Sequence, residues 1–136
     1  MVRRGLPSFG MTLIELLIVI TIMGLLSSLV VPDVLNQIER AAAQEEFMRL
    51  QSELNATSFM AFSQGKEVSV TASGSLLVVS RPQALRREYR YAHLFFDPKQ
   101  EFVYLSSGYA TKEKLEVTQR GRVKVLDLNK AFRGEE

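Results

Sequence analysis

The chain has 136 residues, 46% of them hydrophobic and 24% charged, which suits one membrane-anchored domain or one small soluble domain and excludes two sizeable cores. The absence of cysteine excludes structural disulfides, thiolate metal sites and cysteine nucleophiles, and a lone histidine, His93, with no tryptophan narrows the chemistry further. The formal net charge of +2 is supplied by Arg3 and Arg4, and past Pro32 the charge is polarised: three basic against six acidic residues over 33–80, twelve against eight over 81–136.

Residues 11–31 contain one ionisable side chain, Glu15. As a helix this run is about 31 Å long, matching a hydrocarbon core of ~30 Å. Arg3 and Arg4 stand before it and, by the positive-inside tendency, hold the N-terminus in the cytoplasm and send residues after Pro32 outward. A secretory signal fits less well: the run is long, no A-x-A-like site follows, and Pro32-Asp33 leads into a helical pattern. The Arg3-Arg4 pair lacks the surroundings of a twin-arginine signal and is a charge anchor. Glu15 is the anomaly, since a carboxylate deep in a span costs roughly 2 to 3.5 kcal/mol. It either snorkels at the cytoplasmic interface or, if the chain is cut before Met11, pairs with the new amine of its own or a neighbouring chain.

The stretch Gly10-Met11-Thr12-Leu13-Ile14-Glu15-Leu16 resembles the class III signal of type IV pilins and pseudopilins. The resemblance implies that a prepilin peptidase cuts between Gly10 and Met11 and methylates the Met11 amine, and that Glu15 guides assembly. Gly24 and Pro32 match places where that family commonly has a glycine and a helix-bending proline. Met11 departs from it, since phenylalanine is usual there.

Beyond Pro32, apolar residues recur at Val34, Leu35, Ile38, Ala42, Phe47, Leu50, Leu54, Phe59 and Phe62, the spacing of one helical face, with Gln37, Glu39, Arg40, Glu45, Arg49, Gln51 and Glu53 opposite. The helix is expected to end before Gly65, with its apolar stripe seating the domain's own sheet. Pro32 removes one helical hydrogen bond and is expected to bend the helix. From Lys66 the period changes to two. Strands are expected at 67–71, 75–80, 89–96, 101–105, 114–118 and 122–128, with turns at Ala72-Ser73-Gly74, Asp97-Pro98-Lys99-Gln100, around Gly108 and at Gln119-Arg120-Gly121. The expected fold is α+β: a long N-terminal helix, membrane-spanning and then amphipathic, packed by a small antiparallel sheet. The expected divisions are a cleaved leader at 1–10, a transmembrane helix at 11–31, an amphipathic helix at 32–64 and a sheet region at 65–136 that forms one domain with the preceding helix.

The C-terminal layout is similar to that of H-type minor pseudopilins and FimT-type minor pilins, on Leu94-Phe95-Phe96-Asp97-Pro98 and Gly121-Arg122-Val123-Lys124-Val125. Small competence pseudopilins share this ending. No nucleophile with a base, carboxylate pair or metal cluster is evident, so no enzyme, metal or cofactor is expected. His93 sits in an apolar strand, Asp97 and Glu101 lack the oxygen-rich run that calcium needs, and Asn55-Ala56-Thr57 spells a glycosylation acceptor inside a helix. Two basic clusters remain: Arg81, Arg86, Arg87 and Arg90, and Arg120, Arg122, Lys124, Lys130 and Arg133. They read either as a solvated surface or as phosphate contacts for DNA, with Arg122 and Lys124 exposed, Val123 and Val125 on the core face, and Tyr89, Tyr91, Tyr104 and Tyr109 as stacking candidates. The resemblance to DNA-binding FimT-type pilins favours Arg120, Arg122 and Lys124 for that role.

These features imply a minor pilin or pseudopilin at or near the tip of a type II secretion pseudopilus or type IV pilus-like filament. The alternative is a DNA-binding subunit of a competence filament. The expected partners are other subunits, the prepilin peptidase, an inner-membrane assembly platform, membrane lipid and, in the alternative, DNA. The expected location is the inner membrane, single-pass, with the C-terminal domain periplasmic or extracellular.

Overall fold

The computed structural model describes residues 10–84 and 86–133; the expected leader with Arg3 and Arg4, residues 1–9, lies outside the described residues. Helix α1 runs from Leu13 to Gln64 with Pro32 inside it. Six strands follow, β1 (Val68–Gly74), β2 (Leu76–Ser80), β3 (Arg87–Arg90), β4 (Leu94–Tyr104), β5 (Lys114–Gln119) and β6 (Arg122–Asp127), and then a short helix α2 (Lys130–Arg133). The strands form one antiparallel sheet in the order β3-β2-β1-β4-β5-β6, so the fold is α+β and pilin-like. The chain divides into two compact units, one up to Glu39 and one from Arg40 onward.

In the first unit, α1 is long and apolar enough to cross a membrane by length and composition, and the side chains of residues 13–28 are exposed. Thr12 starts the helix. Its carbonyl accepts the Leu16 N–H at 3.1 Å, and its hydroxyl accepts the Glu15 N–H at 3.3 Å. This is the N-cap geometry that satisfies one of the orphan donors of a first turn.

In the second unit, α1 ends at Gly65, whose φ of 61° only glycine adopts without cost. The Lys66 N–H bonds the Ala61 carbonyl and the Gly65 N–H bonds the Phe62 carbonyl, both at 3.2 Å, which together make a Schellman cap. The helix face against the sheet is Ala43, Leu50, Leu54, Thr57, Ser58 and Ala61, with Phe47 packed at its margin. Facing it from the strands are Val68, Val70, Leu77, Val79, Leu94, Phe96, Phe102, Tyr104, Leu115 and Val117. Burying each of the larger aliphatic side chains contributes about 1.5 to 3 kcal/mol. The expected stripe is therefore only partly the seat of the sheet. Phe59 is 65% exposed, Phe62 54%, and Met48 also faces outward, because Thr57, Ser58 and Ala61 take the inner positions. Their small side chains let the backbone approach closely enough for the Ser58 hydroxyl to donate to the Gly108 carbonyl at 2.6 Å.

One expected strand and one expected turn differ in the structure. The expected strand at 89–96 is broken at Tyr91-Ala92-His93, because Glu46 on α1 accepts the N–H groups of Ala92 at 2.9 Å and His93 at 2.7 Å and draws that segment to the helix. The expected turn at Asp97-Pro98-Lys99-Gln100 lies inside β4. Ala72 pairs with Gln100 and Gly74 with Phe96, so β4 carries two more residues than β1 over the same distance, and the surplus forms an exposed bulge at 97–99. Proline, which cannot donate to a ladder, is tolerated at such a bulge.

Buried amides complete the sheet where strands part. β4 and β5 are paired at Leu94 and Phe95. Farther along, the Gln100 side chain donates to the Glu116 carbonyl at 2.7 Å and accepts the Glu116 N–H at 3.0 Å. Asn129 accepts the Ala110 N–H at 2.7 Å, and Gln119 donates to the Ala43 carbonyl.

Candidate functional site

Two regions carry the expected site residues. In the first, Gly10, Met11 and Thr12 are non-helical and precede α1, and Glu15 occupies the third helical position. Thr12 and Glu15 have the spacing of a capping box, a signal present in the sequence as T-x-x-E. A carboxylate in the first turn is favoured by the helix dipole, which lowers the burden of placing Glu15 in an apolar segment. Among the described residues, the Glu15 side chain makes no ion pair.

The second region is a cleft of about 610 Å³ in the outer unit, lined by Arg40, Ala43 and Gln44 of α1 and by Gln119, Arg120, Arg122 and Lys124 of β5, β6 and their turn. The turn brings the cations there. Gln119 pairs with Arg122, and Arg120 and Gly121 both have positive φ, 51° and 74°, the signature of a two-residue type I′ hairpin turn. The register sets which side chains enter the cleft. Lys124 pairs with buried Val117 and so shares its helix-facing side, as Arg122 does with Gln119.

The expected orientation of β6 is thus reversed. Val123 and Val125 are 65% and 56% exposed and share the outer face with Phe95, while Arg122 and Lys124 line the cleft. Alternation alone assigns valine inward; the helix-side position of Val117 and Leu115 on the partner strand overrides it.

Lys124 reaches Gln44 at 3.5 Å and lies 4.6 Å from the centre of the Phe47 ring. Among the described residues, no hydrogen bond or ion pair engages the side chains of Arg40, Arg120 or Arg122, and no carboxylate lines the cleft. Guanidinium forks and an ammonium converging without a counter-charge are suited to an oxyanion. The helical period places Arg40 on the polar face of α1 and does not join it to this group; no local signal links position 40 to position 122, because only the packing of hairpin on helix joins them.

The other basic residues go elsewhere. Arg133 pairs with Glu113 and Asp127, both at 3.4 Å, and Arg86 pairs with Glu88 at 3.2 Å. Arg87 and Arg90 lie on β3, at the opposite edge of the sheet from β6. None of the stacking candidates lines the cleft. Tyr91 and Tyr104 are core residues, and Tyr89 packs against that core. Burial pushes the Tyr91 phenol up to about 12, with Glu53 adding to the shift, and burial also raises Tyr104. Glu101 pairs with Lys99 at 2.7 Å, Asp97 is exposed, Asn55 is on the outside of α1, and the Thr57 hydroxyl bonds the Glu53 carbonyl. Among the described residues, no three histidine, aspartate or glutamate side chains stand close enough to hold a metal ion.

Residues 7–31 match the family described as the prokaryotic N-terminal methylation motif, the class III signal of type IV pilins. The chain carries that motif, which supports a type IV pilin-like or pseudopilin subunit and implies cleavage by a prepilin peptidase and assembly with other pilin subunits. Proteins built on this motif are structural subunits. The signal and the long apolar helix that follows it fit a membrane-anchored protein that is incorporated into a filament. Comparison with curated proteins and with solved structures gave no match.

Proposed function

We propose that the chain is a minor pilin or pseudopilin, placed at or near the tip of a type II secretion pseudopilus or type IV pilus-like filament and most like the H-type and FimT-type subunits. The observation that carries this reading is the methylation motif at 7–31 running directly into an apolar helix whose first turn holds Glu15. The precursor sits in the inner membrane with its N-terminus in the cytoplasm and its outer unit on the far side. The peptidase cuts between Gly10 and Met11 and methylates Met11, Pro32 loosens α1 where it leaves the bilayer, and the assembly platform delivers the subunit to a growing filament. There the Glu15 carboxylate meets the Met11 amine of a subunit already present, a pairing whose Coulombic attraction offsets part of the desolvation cost of both charges. Intact mass measurement of the membrane-purified protein tests this. The expected product begins at an N-methylated Met11, and an N-terminus near Pro32 overturns the reading.

A second reading is favoured by the cleft: Arg120, Arg122 and Lys124, with Arg40, form a phosphate-contacting patch for DNA in a competence filament. A mobility shift with duplex DNA of unrelated sequences, repeated over rising salt, tests it. Binding that weakens equally for all sequences with Arg122→Ala supports it, and no association at low salt removes it.

A further inference from the structure

Arg40 follows Val31, the end of the apolar run, by nine residues. That interval is about 13 Å if helical and no more than about 30 Å if fully extended. The headgroup layer itself extends about 5 to 8 Å past the hydrocarbon. In an anchored chain the tether therefore limits Arg40 to within about 30 Å of the hydrocarbon edge, a span that includes the headgroup layer.

The lining also selects among anions. No tyrosine lines the cleft, so it offers no stacking platform for single-stranded nucleic acid. The concavity between a helix and a hairpin turn, about 610 Å³, has room for a discrete oxyanion headgroup. The fold sets the backbone positions of the four cations, Arg122 by its register, Arg120 by the turn and Arg40 by α1, and Lys124 is also held through its side chain by Gln44 and Phe47.

We propose that the cleft formed by Arg40, Gln44, Arg120, Arg122 and Lys124 binds the phosphodiester headgroup of an anionic phospholipid in the membrane that holds the anchor. This rests on the membrane-anchored reading. It gives the outer unit a second hold on the bilayer before assembly, one released when the subunit is drawn into a filament.

The test is native mass spectrometry of the full chain in dodecyl maltoside, titrated with phosphatidylglycerol or phosphatidylcholine. Two exposed-site variants are compared with the wild type: Arg40→Gln, and Arg120→Asn, which removes a cation while supplying a residue that accepts the turn's left-handed backbone. The expected result is a preference for phosphatidylglycerol of about ten-fold or more, falling about five-fold with each lost cation while circular dichroism stays unchanged. Equal retention of the two lipids overturns the proposal, as does an undiminished preference in the folded variants. Displacement by inorganic phosphate at the lipid's own concentration assigns the cleft to free phosphate and overturns the lipid assignment. Tighter binding of a short DNA duplex that expels the lipid gives the cleft to nucleic acid and overturns it equally. The same spectra give the N-terminal mass, so failure of the filament reading registers separately from failure of this one.

Discussion

At the scale of single residues, Glu15 and Tyr91 carry charges or hydroxyls whose surroundings decide their effect. Glu15 occupies the first turn of α1 behind the Thr12 cap, where the helix dipole favours a carboxylate. Glu15→Val keeps the cap and removes the roughly 2 to 3.5 kcal/mol cost of a buried charge, so membrane insertion is expected to be unimpaired. Incorporation into filaments is expected to fall, since the partner of the Met11 amine is gone, and the ratio of filament to membrane abundance measures this. Tyr91 is buried and its hydroxyl has no hydrogen-bond partner among the described residues. Tyr91→Phe therefore leaves neutral-pH stability unchanged or raises it by up to about 1 kcal/mol in denaturant titrations. Its phenol is raised by burial to about 12, above the ordinary value near 10. Between pH 10 and 12 the unfolded chain releases this proton while the folded chain keeps it, so stability falls with rising pH over that window. Tyr91→Phe is expected to flatten the decline, and the buried Tyr104 accounts for part of what is left.

At the scale of elements, the β5–β6 hairpin shows how register outranks pattern. The Arg120-Gly121 turn fixes Gln119 opposite Arg122, and every later pair follows from it. Val117 is then buried against the helix, and Val125 faces solvent. Val117→Thr places a hydroxyl in the core and is expected to cost about 1 to 3 kcal/mol. Val125→Thr, the same chemical change on the exposed face, is expected to stay within about 0.5 kcal/mol. Chemical denaturation of the two variants distinguishes them, and equal losses would mean that β6 is turned the other way. The same logic explains β4, where a proline-containing stretch that reads as a turn is held in the sheet by strand pairs on both sides of it.

At the scale of the whole molecule, the two units have different surfaces. The outer unit encloses its own core, from Leu50 and Leu54 through the central strands to Leu126 and Leu128. Val34, Leu35 and Ile38, which the apolar stripe placed against the sheet, are exposed in the first unit. A fragment starting at Arg40 is therefore expected to be soluble, folded and monomeric. One starting at Pro32 keeps the three exposed apolar residues and is expected to self-associate more strongly. Sedimentation at several concentrations compares them, and an unfolded Arg40 fragment by circular dichroism would mean that the core depends on the preceding residues.

Features that depend only on neighbours along the chain are legible in the sequence. The apolar run and the Gly10–Glu15 motif need no tertiary context, the end of α1 follows from the positive φ that Gly65 accepts, and the change from helical to alternating period announces an antiparallel sheet after one long helix. Only the tertiary structure decided what depends on distant partners. Glu46 broke an expected strand by capturing two N–H groups more than forty residues away. Small residues at 57, 58 and 61, and not Phe59 or Phe62, took the sheet-facing positions of α1. Val117 of the facing strand turned Arg122 and Lys124 inward, and the helix brought Arg40 beside them. A period of two says that successive side chains point to opposite faces; which face meets the helix is fixed by pairing and packing, and those energies belong to no single segment.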